Sequence, residues 1–207
     1  MAGGVIVDVA GIPEPEHALV RCPWAGTDLL MQAYHDTEWG VPCHDDRELF
    51  ERLILECFQA GLSWATILRK RPAFSVAFAN WDLDAVAAFG SQDVERLMSD
   101  AGIVRNRAKI VAAIGNARGI MAIQREFGSF DRYLWGRSWD TTGLPEPPRP
   151  ATLADVPPET PASLAMSKDL RRLGFRFVGP TICYAFMQSI GMVDDHLPDC
   201  WRAAPAR

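Results

Sequence analysis

Apolar residues in this chain recur at helical spacing and almost never alternate as a strand would. The clearest stripe runs through Leu49, Phe50, Leu53, Ile54, Cys57 and Phe58, with Asp45 or Asp46 placed to cap it. Before it, periodicity starts near Thr27 or Asp28 and runs through Leu29, Leu30 and Ala33 to Tyr34. Glu38-Trp39-Gly40-Val41-Pro42 then breaks it. After a turn at Gly61, Ser63 opens a short helix that ends at Arg69-Lys70-Arg71-Pro72, and Phe74, Phe78, Trp81 and residues 82–89 add core. A helix capped by Ser91 runs to Asp100. Residues 101–104 interrupt it, and a long helix from about Asn106 carries Ile110, Val111, Ile114, Ala117 and Met121 on one face. Past a proline-rich surface connection over 136–162, helices over 163–173 and 180–190 stop at Gly174 and Gly191. The pattern predicts an all-α protein without internal repeats.

One residue departs from the main stripe. Glu56 lies seven positions after Leu49, at the border of the apolar face, so its carboxylate is expected to be partly buried. It either pairs with a nearby arginine or, with Gln59 one turn on and Trp64 beyond Gly61, forms a pocket for a planar polar ring.

The net charge of −5 weighs against wholesale polyanion binding, but the charge is unevenly spread. Residues 101–125 hold Arg105, Arg107, Lys109, Arg118 and Arg125 and no acid, and Lys168, Arg171, Arg172 and Arg176 cluster around Asp169 alone. The helix–turn–helix run through Gly102, with Arg105, Asn106, Arg107 and Lys109 at the start of its second helix, aims backbone N–H groups and cations at one spot. That arrangement suits a phosphate, although it also suits an ordinary helical hairpin.

The 207 residues suffice for one sizeable core or two lobes sharing a cleft, and no apolar run approaches the roughly 20 residues of a membrane span. Residues 1–20 look like an extension outside the core, without the basic start and cleavage site of a secretory signal. The five cysteines are odd in number and scattered, which predicts reduced thiols or metal ligands and a cytoplasmic location. Cys22 and His35 near the start of the core, with His196 and Cys200 near its end, make a Cys2His2 set suited to tetrahedral zinc. With four protein ligands no open position remains, so such a zinc would be structural; buried apolar thiols are the competing reading.

Several blocks, taken in order, resemble the 3-methyladenine DNA glycosylase I family. They are Cys22-Pro23-Trp24, residues 33–42, Leu55-Glu56 with residues 59–64, residues 100–103 with 105–110, and Gly174-Phe175 through residues 181–184 to His196 and Cys200. The resemblance spans about residues 21–201, the glycosylase domain, and leaves 202–207 as a tail. It implies a two-lobed helix-hairpin-helix glycosylase fold in which one structural zinc on Cys22, His35, His196 and Cys200 clips the N- and C-terminal segments together. It also implies a monomer that acts on double-stranded alkylated DNA and needs no protein partner. Glu56 and Tyr34 would contact the damaged adenine, Trp64 would stack on it, Trp24 would line the pocket, and Gly61 and Leu62 would enter the gap left by the flipped nucleotide. Met31, Cys57 and Phe58 depart from the family's pattern, which touches fine base specificity more than reaction class.

The implied reaction is release of N3-alkylated adenine by hydrolysis of its glycosidic bond. Flipping needs phosphate anchors, a plug and an aromatic cleft. The turn from Asn106 to Lys109, Leu62, and the pair Trp24 and Trp64 answer these needs in turn. An alkyl-adenine in DNA is a cation that becomes neutral on leaving, so Glu56 is expected to recognise the ring more than to protonate it. The rival readings are a zinc-stabilised DNA binder without catalysis, a zinc hydrolase, and a glycosylase shifted toward 3-methylguanine.

Overall fold

The computed structural model describes residues 19–136, 143–144 and 148–203. The expected extension therefore lies outside the described residues except for Leu19 and Val20, as do positions 204–207 of the tail and part of the proline-rich connection. All regular structure among the described residues is helical: α1 (Leu29–Thr37), α2 (Asp46–Gln59), α3 (Trp64–Ala77), α4 (Leu83–Ala88), α5 (Ser91–Ser99), α6 (Arg107–Phe127), α7 (Phe130–Trp135), α8 (Pro161–Arg172) and α9 (Pro180–Ser189). Short 3-10 turns cover Pro23–Ala25, Ala79–Trp81 and Leu153–Asp155.

Most helix starts are written in single side chains. Asp28, Asp45, Ser63, Asn106 and Thr160 each accept a hydrogen bond from a backbone N–H in the first turn of α1, α2, α3, α6 and α8. At α5 the expected cap moves: Ser91 is the first helical residue, and the Asp93 carboxylate accepts from the Gly90 N–H at 3.0 Å. α8 begins at Pro161, two residues before the expected start, because Thr160 caps it and a proline costs nothing at the first helical position.

α2 is the axis of the fold. Residues from Arg52 to Phe58 are buried without interruption, more than one amphipathic face would supply, because α3, α6, α7 and α9 pack around it. Phe58, Phe74, Phe78 and Trp81 form an aromatic layer beside it, with the Phe78 and Trp81 rings stacked 5.5 Å apart. One connected core runs from Cys43 to Val193, so the expected lobes share a single set of buried side chains.

Two expectations fail on tertiary grounds. α3 does not stop at Pro72 but continues to Ala77. The lost Leu68–Pro72 backbone bond is offset by what holds the two halves: Arg71 pairs with Glu51 and Glu38, Lys70 donates to the Ala101 and Gly102 carbonyls, and Phe74 is buried in the aromatic layer. On α6 the buried face is Ile110, Ala113, Ile114, Ala117, Ile120 and Ile123, while Val111 is exposed and Met121 half-buried.

The segment before α2 is fastened to the end of α9, and this fixes Trp39 and the residues beyond it. Gly40 N–H donates to the Gln188 carbonyl and Cys43 N–H to that of Ile190, both at 3.0 Å. Gly191, at φ +72°, lies so close that a Cβ there would sit 2.4 Å from Pro42 N. Gly191→Ala is expected to cost about 2 kcal/mol or more of stability, read as a lower urea midpoint; an unchanged midpoint would show that this contact is soft.

Candidate active site and metal cluster

α2 carries Glu56 into the interior, where its side chain is 3% exposed. The arginine partner that its position allowed does not appear. Arg52, one turn earlier, is committed to Glu48 at 2.9 Å and to the carbonyls of Ser189 and Glu38. Among the described residues no cation lies within ion-pair distance of Glu56, and its Oε2 is buried without a hydrogen-bond partner. Burial alone therefore pushes the Glu56 carboxyl up to about 8.

The side chain opens onto a cavity of about 290 Å³. Trp24, Trp39, Tyr34 and Trp64 form its aromatic wall, with the Tyr34 and Trp64 rings 5.1 Å apart and those of Trp24 and Trp39 4.9 Å apart. Gln59, also from α2, lines it, as does Met31. The Tyr34 hydroxyl is pushed well above its ordinary range by burial and then by Glu56, so it stays a neutral phenol. A volume of this size walled by aromatic faces and edged by a few polar groups suits one heteroaromatic ring. Cys57 and Phe58 do not reach it: the Cys57 thiol donates to the Phe177 carbonyl, and Phe58 lies in the aromatic layer.

Sequence reasoning missed part of this wall. Gln188 and Asp195 line the cavity beside Glu56, as do Leu153 and Val156 from the proline-rich connection, and Trp39 was visible only as part of a motif. The one local signal for Asp195 was its place beside His196; Gln188 gave none.

Next to the cavity, Cys22, His35, His196 and Cys200 bring their four ligand atoms within 4.8 Å of one another, all of them buried. Cys200 Sγ lies 3.3 Å from His35 Nε2 and 3.5 Å from His196 Nδ1, and Cys22 Sγ lies 3.7 Å from the latter. Adjacent ligand atoms around a tetrahedral ion with sulfur and nitrogen donors sit roughly 3.3–3.8 Å apart, so the donor set fits one. The outer nitrogens are fixed as well. His35 Nδ1 donates to Asp36 at 2.8 Å and His196 Nε2 to the Trp39 carbonyl at 3.2 Å, which leaves both inner nitrogens with lone pairs. Arg21 and the Trp201 indole N–H hold Asp36 in turn. Burial, with His35 nearby, pushes His196 down to about 4 and keeps it neutral, while burial pushes the Cys22 thiol up to about 12 in the absence of a cation.

Gly61 and Leu62 form an exposed corner between α2 and α3. Gly61 has φ +84° with open space around it, and Leu62 is 43% exposed. The turn between α5 and α6 is tied to this corner: Lys109 donates to the carbonyls of Phe58 at 2.9 Å and Ala60 at 2.6 Å. The Lys109 side chain is thus buried and caps α2, while Arg105, Asn106 and Arg107 remain exposed and Gly102 is half-buried. Asn106 spends its side-chain oxygen on the Lys109 N–H, and Arg107 pairs with Glu95 at 2.8 Å.

These features define a helical protein with a cavity sized for one heteroaromatic ring, a buried acid on its wall and a four-ligand cluster beside it. The chain belongs to the methyladenine glycosylase family, whose profile matches residues 24–203. It is 47% identical to DNA-3-methyladenine glycosylase 1 of Escherichia coli over 180 residues, which cover 87% of this chain and 95% of that protein. A crystal structure of 3-methyladenine DNA glycosylase I superposes with a TM-score of 0.84 at 45% identity, covering 89% of this chain and all of the other. A tyrosine-to-phenylalanine variant of a 3-methyladenine DNA glycosylase I, solved in complex with 3-methyladenine, superposes with a TM-score of 0.83 at 34% identity, covering 90% and 99% of the two chains.

The Glu56 carboxyl has a consequence for stability. Its folded value of about 8 lies above the ordinary 4.5, so between those values the folded chain keeps a proton that the unfolded chain has lost. Stability attributable to Glu56 therefore falls as pH rises across that window. Glu56→Gln should flatten the decline in melting temperature between about pH 5 and 8 and melt higher than the parent at the alkaline end. The same slope in both proteins would mean that Glu56 is not a protonated buried acid.

Proposed function

We propose that this protein is a DNA glycosylase of base excision repair, which flips N3-alkylated adenine out of duplex DNA and hydrolyses its glycosidic bond. The free base leaves and an abasic site remains. The observation that carries the reading is the buried Glu56 carboxyl, with no cation beside it among the described residues, in an aromatic cavity the size of one base. Family membership and the relatives named for this activity support it.

The cavity prefers a cation for two reasons. Aromatic faces attract a charged ring more than a neutral one, and a carboxyl held protonated by burial can ionise when a positive ring supplies its missing partner. Normal adenine offers neither gain. In the reaction the C1′–N9 bond breaks, its electron pair stays on N9 and neutralises the ring, and positive charge passes to C1′ and O4′. Glu56 can stabilise that charge in both places, so its attraction is not lost at the transition state. Water adds at C1′ and its proton goes to solvent. Tyr34, a neutral phenol packed on Trp64, positions the base.

On the DNA side, Leu62 on the open Gly61 corner would fill the vacated stack. Arg105 and Arg107, with the turn from Gly102 to Asn106, would grip phosphates. Lys109 supports this surface from within by holding the corner to the turn. The Cys2His2 cluster is read as a structural zinc site. Zinc there would join the segment around Cys22 to that around Cys200, with every position filled by protein.

Incubating the chain with methylated duplex DNA and separating the released bases tests the function. The parent should release 3-methyladenine, and Glu56→Gln should slow single-turnover release by at least about tenfold while still binding duplex; undiminished release would remove Glu56 from the account. Metal analysis should find one zinc per chain. Cys200→Ser should lose it and melt several degrees lower, whereas retention of full zinc by that variant would exclude the proposed ligand set.

A further inference from the structure

Gln188 on α9 lines the base cavity, and its amide cannot turn freely. Its Nε2 donates to Asp195 Oδ2 at 2.7 Å, and the Tyr184 hydroxyl donates to the same oxygen at 2.5 Å. An oxygen that receives two donors is an acceptor whatever the state of the other carboxyl oxygen, so the amide nitrogen must face Asp195. A flipped amide would set oxygen against oxygen in a buried site. The remaining atom, Gln188 Oε1, accepts no hydrogen bond among the described residues and is left for whatever enters the cavity. Asp195 is itself 3% exposed, and Gly40 N–H fixes the Gln188 backbone by donating to its carbonyl at 3.0 Å. The amide oxygen is therefore preorganised, held by its own side-chain nitrogen and by its backbone.

We propose that Gln188, held by Asp195 and Tyr184, is a specificity-determining acceptor that admits a base with an exocyclic amino group and rejects one with a carbonyl oxygen at the same edge. This rests on the reading of the cavity as an alkyl-base pocket and says which bases it takes. The 6-amino group of adenine carries two N–H bonds. Glu56 accepts one and Gln188 Oε1 the other. The 6-oxo group of 3-methylguanine has none to give, and it would face two oxygens with its own lone pairs desolvated. A site built to receive a donor discriminates strongly against a ligand that lacks it, because its own acceptors are left unpaired as well. Asp195 and Tyr184 act as positioning residues, since their effect passes through the Gln188 amide.

The test uses the full chain and duplex DNA containing both 3-methyladenine and 3-methylguanine, with kcat/KM for release of each base read by chromatography. The parent should favour 3-methyladenine. Gln188→Met, which fills the same space without an acceptor, should lower the ratio of the two values by about tenfold or more. Asp195→Asn should lower it too, because an amide at 195 lets Gln188 present either face. Tyr184→Phe keeps the Gln188–Asp195 bond but removes the second donor that holds the Asp195 oxygen, so it should lower the ratio by less than Asp195→Asn; an equal loss in the two would mean that the cluster acts only structurally. If Gln188→Met releases neither base, the relative affinity for the two free bases, read by quenching of tryptophan fluorescence, decides on the same ratio. A parent ratio retained in Gln188→Met, with 3-methyladenine still released, overturns the inference and leaves the glycosylase reading intact. A parent chain that releases no alkyl base overturns both.

Discussion

The burial of Glu56 on a helix that is itself surrounded organises this molecule. α2 packs against α3, α6, α7 and α9, so a carboxyl one turn from its end has no route to bulk water except through the cavity. The only arginine near it in sequence on the same helix, Arg52, is turned toward Glu48 and the end of α9. An unpaired buried acid is costly, and the fold meets that cost by keeping the group protonated. In the proposed function the same cost would make the pocket selective, because a cation is the ligand that lets the carboxyl ionise in place.

The elements around α2 convert that local condition into a site. The segment from Trp39 to Cys43 is fastened to the end of α9, which sets Trp39 against Trp24 and brings Gln188 into the same wall. The Cys2His2 cluster lies behind this wall and touches it through Trp39, whose carbonyl accepts from His196 while its ring packs edge-on 4.6 Å from that imidazole. Asp195 belongs to both regions, since it faces the cavity and precedes a cluster ligand. At the same C-terminal end of α2 that carries Glu56, Lys109 caps the last carbonyls and fixes the Gly61–Leu62 corner beside the turn before α6. The proposed base pocket and the surface proposed for DNA thus both grow from the last turns of one helix.

Much of this was legible in the residues. Helical periodicity and capping side chains gave α1, α2, α6, α8 and α9 within a few positions, because those signals are local. The stripe through Leu49 and Phe58 also marked Glu56 as an anomaly. What could not be read was tertiary. Pro72 looked like a stop because the contacts of Arg71, Lys70 and Phe74 that carry α3 past it come from other elements. Val111 looked like core because its spacing cannot say which side of α6 has a neighbour. Glu56 was expected to be partly buried, and the absence of an arginine partner depended on where Arg52 turned. Lys109 was grouped by charge with the cations placed to meet a phosphate, yet its amine lies among backbone carbonyls. The approach of Cys22 and His35 to His196 and Cys200 was suggested by residue type and strengthened by family resemblance, not by spacing alone.

The central claim is that a protonated buried Glu56 must ionise to hold a cationic base. The most direct measurement is the pH dependence of kcat/KM for 3-methyladenine release, taken at constant ionic strength, because this quantity reports groups of the free enzyme. The account predicts that it rises with pH as Glu56 loses its proton near 8, and that the rise disappears in Glu56→Gln. A profile that is flat or falling across that range in the parent, or a rise that survives in Glu56→Gln, would contradict it.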